Sequence, residues 1–213
     1  MIISHKHKFV FIAVPKTATA TIREALKTHS DIIGEGIDPP YDWHPRAVDL
    51  KKHFHKKKWD WNKYFKFAFV RNPWDRLNSE YLYRKKRISV FKDKQDKPKY
   101  IIESEKMFRN VDNFAKWVKS EYINTQNPCF PNQCKYLMET NNELLVDFVG
   151  KFENLQQDFN IVCDKIGIER QTLQHKNKTK HKFYTEYYDE EARQIVAEVY
   201  ADEIKCFDYE FGE

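Results

Sequence analysis

The sequence predicts an α/β fold: three layers, α/β/α, around a central parallel sheet, in a single domain covering residues 1–213. Three observations lead there. An apolar, β-branched and aromatic run, "FVFIAV" at residues 9–14, meets a Pro-Lys-Thr turn and then a helix opening with Ile22, Ala25 and Leu26 on one face. The same order returns at "KFAFV", residues 66–70, which is followed by Arg71 and then by Asn72-Pro73, a helix N-cap with proline at the first helical position. A third strand, Val146 to about Phe152, leads into a helix that ends at Ile166. Strands alternating with helices build parallel sheets covered on both faces, and such sheets hold ligands beyond the C-terminal ends of their strands. Lys16 and Arg71 both fall at such ends.

The other elements follow in order. The first helix runs over about 18–29, and a Gly/Pro loop then leads to a short helix from Pro45 to about Phe54, with His44 at its mouth. Trp74, Leu77, Tyr81 and Leu82 recur at helical spacing. Residues 88–105, polar and rich in lysine, predict a mobile loop. Phe108, Val111, Phe114, Ala115 and Val118 form the stripe of a helix over 107–121. After a basic loop, a last helix begins near Asp189 and gives way to an aromatic tail.

Composition bounds the function. A chain of 213 residues fills one well-buried domain and is short for two. Aromatic residues make up 15%, so the core is built on Phe, Tyr and Trp, and five glycines leave little room for flexible linkers. Lys and Arg exceed Asp and Glu by 37 to 32, an excess of +5 that suits an anionic ligand without requiring nucleic acid. No segment approaches the ~18 apolar residues of a membrane span. Charges interrupt "MIISHKHKFVFIAV", which leaves no room for a signal peptide before the first strand and predicts a cytoplasmic protein. Cys129, Cys134, Cys163 and Cys206 lack the accompanying ligands of a zinc site, so free buried thiols are expected and no metal.

The first turn carries the chemistry. Backbone N–H groups over Thr17, Ala18, Thr19, Ala20 and Thr21 would point out of the helix start, where the helix dipole favours an anion. Lys16 adds a full charge, and the hydroxyls of Thr17, Thr19 and Thr21 add donors. Against G-x-x-x-x-G-K-[ST], both glycines are missing and the lysine comes early. The neighbouring strand ends in Arg71 instead of a magnesium-organising carboxylate. Two cations without an acidic partner point to a phosphate donor whose transfer does not need magnesium.

"VPKTATAT" together with "FAFVRNPWDRLNSEY" resembles the two nucleotide-binding signatures of the sulfotransferases that use 3′-phosphoadenosine 5′-phosphosulfate. The closer resemblance is to the carbohydrate branch, which includes the heparan 2-O- and chondroitin enzymes. "FVGKFENLQQDF" and "NKTKHKFYTEYYDEEARQIVAEVYADEIKCFDYEF" are similar to later segments of that branch, while residues about 84–128 are unmatched. The resemblance implies a P-loop NTPase-like sulfotransferase fold, a hydroxyl-bearing carbohydrate acceptor, adenosine 3′,5′-bisphosphate as product, and no metal.

It also implies roles for residues. Lys16 through Thr21 would grip the 5′-phosphosulfate, with Lys16 offsetting charge on the leaving phosphate. Arg71 and Ser79 would bind the 3′-phosphate, and basic residues of 175–182, such as Lys178 and Lys180, would close over the nucleotide. His44, from the segment after the first helix, would be the base, since histidine titrates near neutrality. Gln133, in "NPCFPNQCKYL", sits where this branch has an acceptor-side loop.

Other readings stand beside these. Lys16 could be a solvated turn lysine, and His44 a helix cap. Trp59 and Trp61 read as core before sugar platform, and "KKHFHKKKWDWNK" as a solvated face or as a patch for an anionic acceptor. An ATP-dependent small-molecule kinase would need a magnesium carboxylate, for which Asp75 is the nearest candidate. A non-catalytic polyanion-binding module would bind with steep salt dependence and no nucleotide selectivity.

Overall fold

The computed structural model describes residues 1–34, 44–120, 131–139, 143–174 and 182–213. In chain order its elements are β1 (Ile2–Ser4), β2 (Phe9–Ile12), α1 (Thr19–Leu26), β3 (Ile32–Ile33), α2 (Ala47–Lys56), β4 (Phe65–Val70), α3 (Pro73–Phe91), α4 (Lys99–Met107), α5 (Phe114–Lys119), α6 (Cys134–Leu137), β5 (Phe148–Lys151), α7 (Leu155–Ile166), α8 (Glu190–Val199) and α9 (Ala201–Phe207). They divide into two compact units, one of residues 1–71 and 133–179, the other of 72–132 and 180–213.

The first unit holds a five-stranded sheet in the order β3-β1-β2-β4-β5. The expected strands β2, β4 and β5 are parallel, with Phe9 opposite Phe65 and Val70 opposite Lys151. The sheet as a whole is mixed, which corrects the expected parallel sheet: β1 runs antiparallel to both β2 and β3. The cause is the short "HKHK" link between Ser4 and Phe9, which permits a hairpin but not the crossover a parallel pair needs. Asp31 fastens this turn by accepting the backbone N–H groups of His5 and Lys6.

One face of the sheet presents Phe9, Phe11, Ala13, Phe67 and Phe69 to Ile22 and Leu26 of α1 and to Phe159 and Val162 of α7. The alternate residues Val10, Ile12, Ala68 and Val70 are also wholly buried, so both faces are out of water. Gly150 on β5 is required by this packing, since a Cβ there would lie 2.6 Å from the Phe69 ring. Trp59 and Trp61, expected in the core, are instead half-exposed. The buried Phe54 ring fills that place, and both indoles stand nearly perpendicular to it, at 83° and 89°.

The second unit packs helices. Asn72 caps α3 by accepting the Trp74 N–H at 3.2 Å, with Pro73 at the first helical position, as expected. Trp74, Leu77 and Tyr81 of α3 join Trp117 of α5, Val196 of α8 and Tyr184, which precedes α8, in its core. The expected loop over 88–105 is helical at both ends. Buried Arg84 pairs with Glu80 at 2.7 Å and donates to Ser104 Oγ at 2.7 Å, and Ile101 and Met107 are buried, so α4 docks on α3 while the lysines face water. The helix expected over 107–121 begins only at Phe114, because Asn113 caps it by accepting the Lys116 N–H at 2.9 Å. Asp189 caps α8 in the same way, where the last helix was expected.

Among the described residues, no helix is long and apolar enough to cross a membrane. Cys163 is a buried free thiol and Cys206 an exposed one, while Cys129 lies outside the described residues.

Candidate functional site

The turn after β2 reaches its shape without glycine. Lys16 and Ala18 both take left-handed backbone conformations, with φ of +69° and +62°. L-residues pay for this with a clash between Cβ and the carbonyl oxygen, roughly 1–2 kcal/mol at each position. Ala18 is the residue before α1 and offers no side-chain cap. The first helical bonds run from the Thr21 and Ile22 N–H groups to the Ala18 carbonyl, at 2.9 and 3.1 Å. The N–H groups of Thr19 and Ala20 therefore stand ahead of the hydrogen-bond ladder, where helices meet anions.

The threonines play a different part from the one expected. Thr17 and Thr19 both donate their hydroxyls to the Val14 carbonyl, at 3.0 and 2.8 Å, and Thr21 is buried. Those protons lock the turn. Backbone N–H groups and Lys16 are what this segment offers to an anion.

Arg71 ends β4 and is brought to the same turn. Its Nη1 donates to the Lys16 carbonyl at 3.2 Å, and its guanidinium lies 4.0 Å over the Phe152 ring. Gln133, wholly buried, clamps its backbone: Oε1 accepts the Arg71 N–H at 2.9 Å, and Nε2 donates to the Arg71 carbonyl at 2.8 Å. Gln133 was expected to touch acceptor; its amide is engaged in holding Arg71. Nothing in the sequence pairs Gln133 or Phe152 with Arg71, since the one lies sixty-two positions away and the other follows a different strand.

His44 completes the group in this unit. Its Nδ1 lies 2.8 Å from the Ala13 carbonyl, the last residue but one before the turn's proline. A carbonyl can only accept, so Nδ1 carries the proton, and in the neutral ring Nε2 holds the lone pair. Ser79 lies on α3 in the second unit and is half-buried. Beside it, Asn78 is wholly buried with neither amide atom hydrogen-bonded, an expense that folded proteins rarely carry without a reason. Lys178 and Lys180 lie outside the described residues. Among the described residues, no group of three or more His, Cys, Asp or Glu side chains could hold a metal ion.

A strained strand-to-helix turn bearing a lysine, with an arginine from the adjacent parallel strand hydrogen-bonded to it, marks the strand ends of an α/β sheet. Residues 1–210 match the Sulfotransferase family, and the chain belongs to it. It is 34% identical over 106 residues to an uncharacterized protein of Archaeoglobus fulgidus, covering 49% of this chain and 69% of that one. It is 24% identical over 189 residues to carbohydrate sulfotransferase 14 of Danio rerio, covering 78% of this chain and 48% of that protein. The chain thus spans about half the length of the Danio rerio enzyme. No solved structure gives a significant match.

Proposed function

We propose that this protein transfers the sulfuryl group of 3′-phosphoadenosine 5′-phosphosulfate to a hydroxyl of a carbohydrate, leaving adenosine 3′,5′-bisphosphate. The observation that carries the reading is the meeting of two basic strand ends at one turn, with Arg71 Nη1 on the Lys16 carbonyl at 3.2 Å. The likeness to a carbohydrate sulfotransferase supports the acceptor class. The match over residues 1–210 supports reading both units as one sulfotransferase domain of the three-layer, P-loop-like kind.

The donor supplies an activated sulfuryl group whose leaving phosphate gains charge as the bond breaks. Lys16 and the N–H groups of Thr19 and Ala20 bind the 5′ end and offset that charge. Arg71, fixed by Gln133 and Phe152, holds the 3′-phosphate. Ser79, Lys178 and Lys180 share that nucleotide by sequence pattern. His44 takes the acceptor proton at Nε2, while its Nδ1–H stays on the Ala13 carbonyl and sets the ring's direction.

The test is transfer of labelled sulfate from the donor to a panel of desulfated glycosaminoglycans and simple sugars, without magnesium. The expected result is a labelled carbohydrate, lost in Lys16→Ala. Label left on the donor with every sugar, while ATP phosphorylates one of them, overturns the proposal.

A further inference from the structure

A buried ion pair is often no more stabilising than apolar side chains of the same size, because both charges must leave water. The pair of Arg76 on α3 with Glu203 on α9 is of that kind, Arg76 being 5% exposed and Glu203 wholly buried. Arg76 Nη1 donates to both oxygens of Glu203, at 3.2 and 3.3 Å, which occupies one arm of the guanidinium. The other arm, Nη2, donates to the Pro131 carbonyl at 2.7 Å. Two residues further along stands Gln133, whose amide clamps the Arg71 backbone. The ion pair thus fixes the stretch of chain that delivers the clamp.

A second chain of bonds reaches the residue next to Arg71. Asn72 Nδ2 donates to the Glu210 carbonyl at 2.7 Å, while its Oδ1 caps α3. Glu210 is anchored by its neighbour Phe211, whose ring stands edge-on to Trp74, Tyr184 and Tyr188 with centroids 5.6, 5.6 and 5.5 Å away. The Gly212 N–H donates to the Tyr184 hydroxyl at 2.6 Å. A cap needs only an oxygen, and serine serves α-helices as well as asparagine does. The amide nitrogen is what reaches the segment after α9.

We propose that Arg76, Glu203, Glu210 and Phe211 are positioning residues for Arg71, and that through it they set the preference for a nucleotide bearing a 3′-phosphate. The inference rests on the proposed function, which gives Arg71 that phosphate. Its N–H and carbonyl are held by Gln133, the residue after it is held by Glu210, and its guanidinium is stacked on Phe152. A guanidinium aimed from a fixed backbone loses little freedom on meeting its anion, whereas one on a loose strand end must be ordered first. The gain belongs to the phosphate that Arg71 touches and to no other part of the nucleotide.

Each chain of bonds can be cut by itself. Arg76→Lys keeps a charge for Glu203, but a single ammonium lacks the second arm that holds Pro131. Asn72→Ser keeps the cap of α3 and loses the bond to Glu210. Phe211→Ala, at a half-buried position, loosens the same anchor without touching Asn72.

The test is calorimetry of adenosine 3′,5′-bisphosphate and of ADP on the full chain, beside hydrogen exchange at the Arg71 N–H. Arg76→Lys and Asn72→Ser should each lower the bisphosphate-to-ADP affinity ratio about three- to tenfold, as for one lost hydrogen bond, and Phe211→Ala should lower it less. Because Arg76 acts through Gln133, Arg76→Lys should change nothing further in a Gln133→Ala background, whereas Asn72→Ser should still multiply the loss. A merely structural role would weaken both nucleotides together, or lower the fraction of competent protein, and leave the ratio where it was. An unchanged ratio in either variant overturns the proposal for the chain of bonds it cuts. So does an Arg76→Lys effect that persists in full without Gln133. If the unaltered chain shows no preference for the bisphosphate, the donor assignment falls and exchange decides alone. Faster exchange of the Arg71 amide in Arg76→Lys, with the rest of β4 unchanged, then upholds the positioning role, and unchanged exchange removes it.

Discussion

The two strand-to-helix turns of this chain look alike in sequence and are built on opposite principles. After β4, Asn72 and Pro73 start α3 with a side-chain cap, so that helix end is satisfied by the protein itself. After β2, Ala18 starts α1 with no cap, at a left-handed φ of +62°. The capped turn has little backbone to offer a ligand and contributes the side chain that precedes it, Arg71. The uncapped turn leaves the Thr19 and Ala20 N–H groups ahead of the helix ladder and bears the strain of two non-glycine residues at positive φ. One turn is completed by its own side chain, and the other, on the proposed function, by the donor.

The largest test of that contrast removes the charge from the strained turn. Lys16→Ala should lower sulfuryl transfer by at least about a thousandfold and leave the melting temperature nearly unchanged, since the loss is of charge stabilisation at a half-buried turn position. Transfer rates read beside thermal melts check this. A variant that melts early instead would make Lys16 a structural residue.

Arg71→Ala comes next. The affinity ratio of adenosine 3′,5′-bisphosphate to ADP should fall about 10- to 100-fold, the worth of one hydrogen-bonded charge contact. Gln133→Ala should move the same ratio in the same direction but less, because Gln133 acts only by holding the Arg71 backbone. Equal losses for both nucleotides would contradict the assignment of Arg71 to the 3′-phosphate.

Backbone substitutions sharpen the comparison further. Ala18→Gly should be neutral or stabilising by up to about 1 kcal/mol, since glycine accepts positive φ without penalty and only its unfolded freedom opposes the gain. Asn72→Ala should cost about 1–2 kcal/mol, as it removes both the cap and the amide donated to the Glu210 carbonyl at 2.7 Å. Urea unfolding of the two variants should therefore shift in opposite directions.

The smallest effect concerns pH. Burial, with Lys57 and Lys56 nearby, holds His53 below its ordinary value of 6.5, and burial with His7 and Lys6 does the same for His29. Below 6.5 the unfolded chain binds more protons than the folded one, so stability should rise with pH through that window and be lost on acidification. Melting temperatures between about pH 5 and 7 should follow this slope, and His53→Gln should flatten it.

Much of this was legible because apolar runs that end in a basic residue mark strand ends directly. β2, β4 and β5 follow that pattern, the Asn72 and Asp189 caps follow from their residue types, and His44 is singled out by the family resemblance alone. β1 and β3 escaped notice because two- and three-residue strands carry no periodicity, and "HKHK" reads as surface. The positive φ at Lys16 and Ala18 was hidden because neither residue type advertises it, although the missing glycines posed the question. The Gln133 clamp joins a side chain to a backbone sixty-two residues away, which no local pattern records.

The most direct measurement is a calorimetric titration without magnesium, comparing adenosine 3′,5′-bisphosphate with ADP and ATP. Selective binding of the bisphosphate, lost in Lys16→Ala and made unselective in Arg71→Ala, is the result predicted for a turn that binds a doubly phosphorylated donor with two cations. Equal binding of ADP or ATP, or binding that appears only with magnesium, would contradict it.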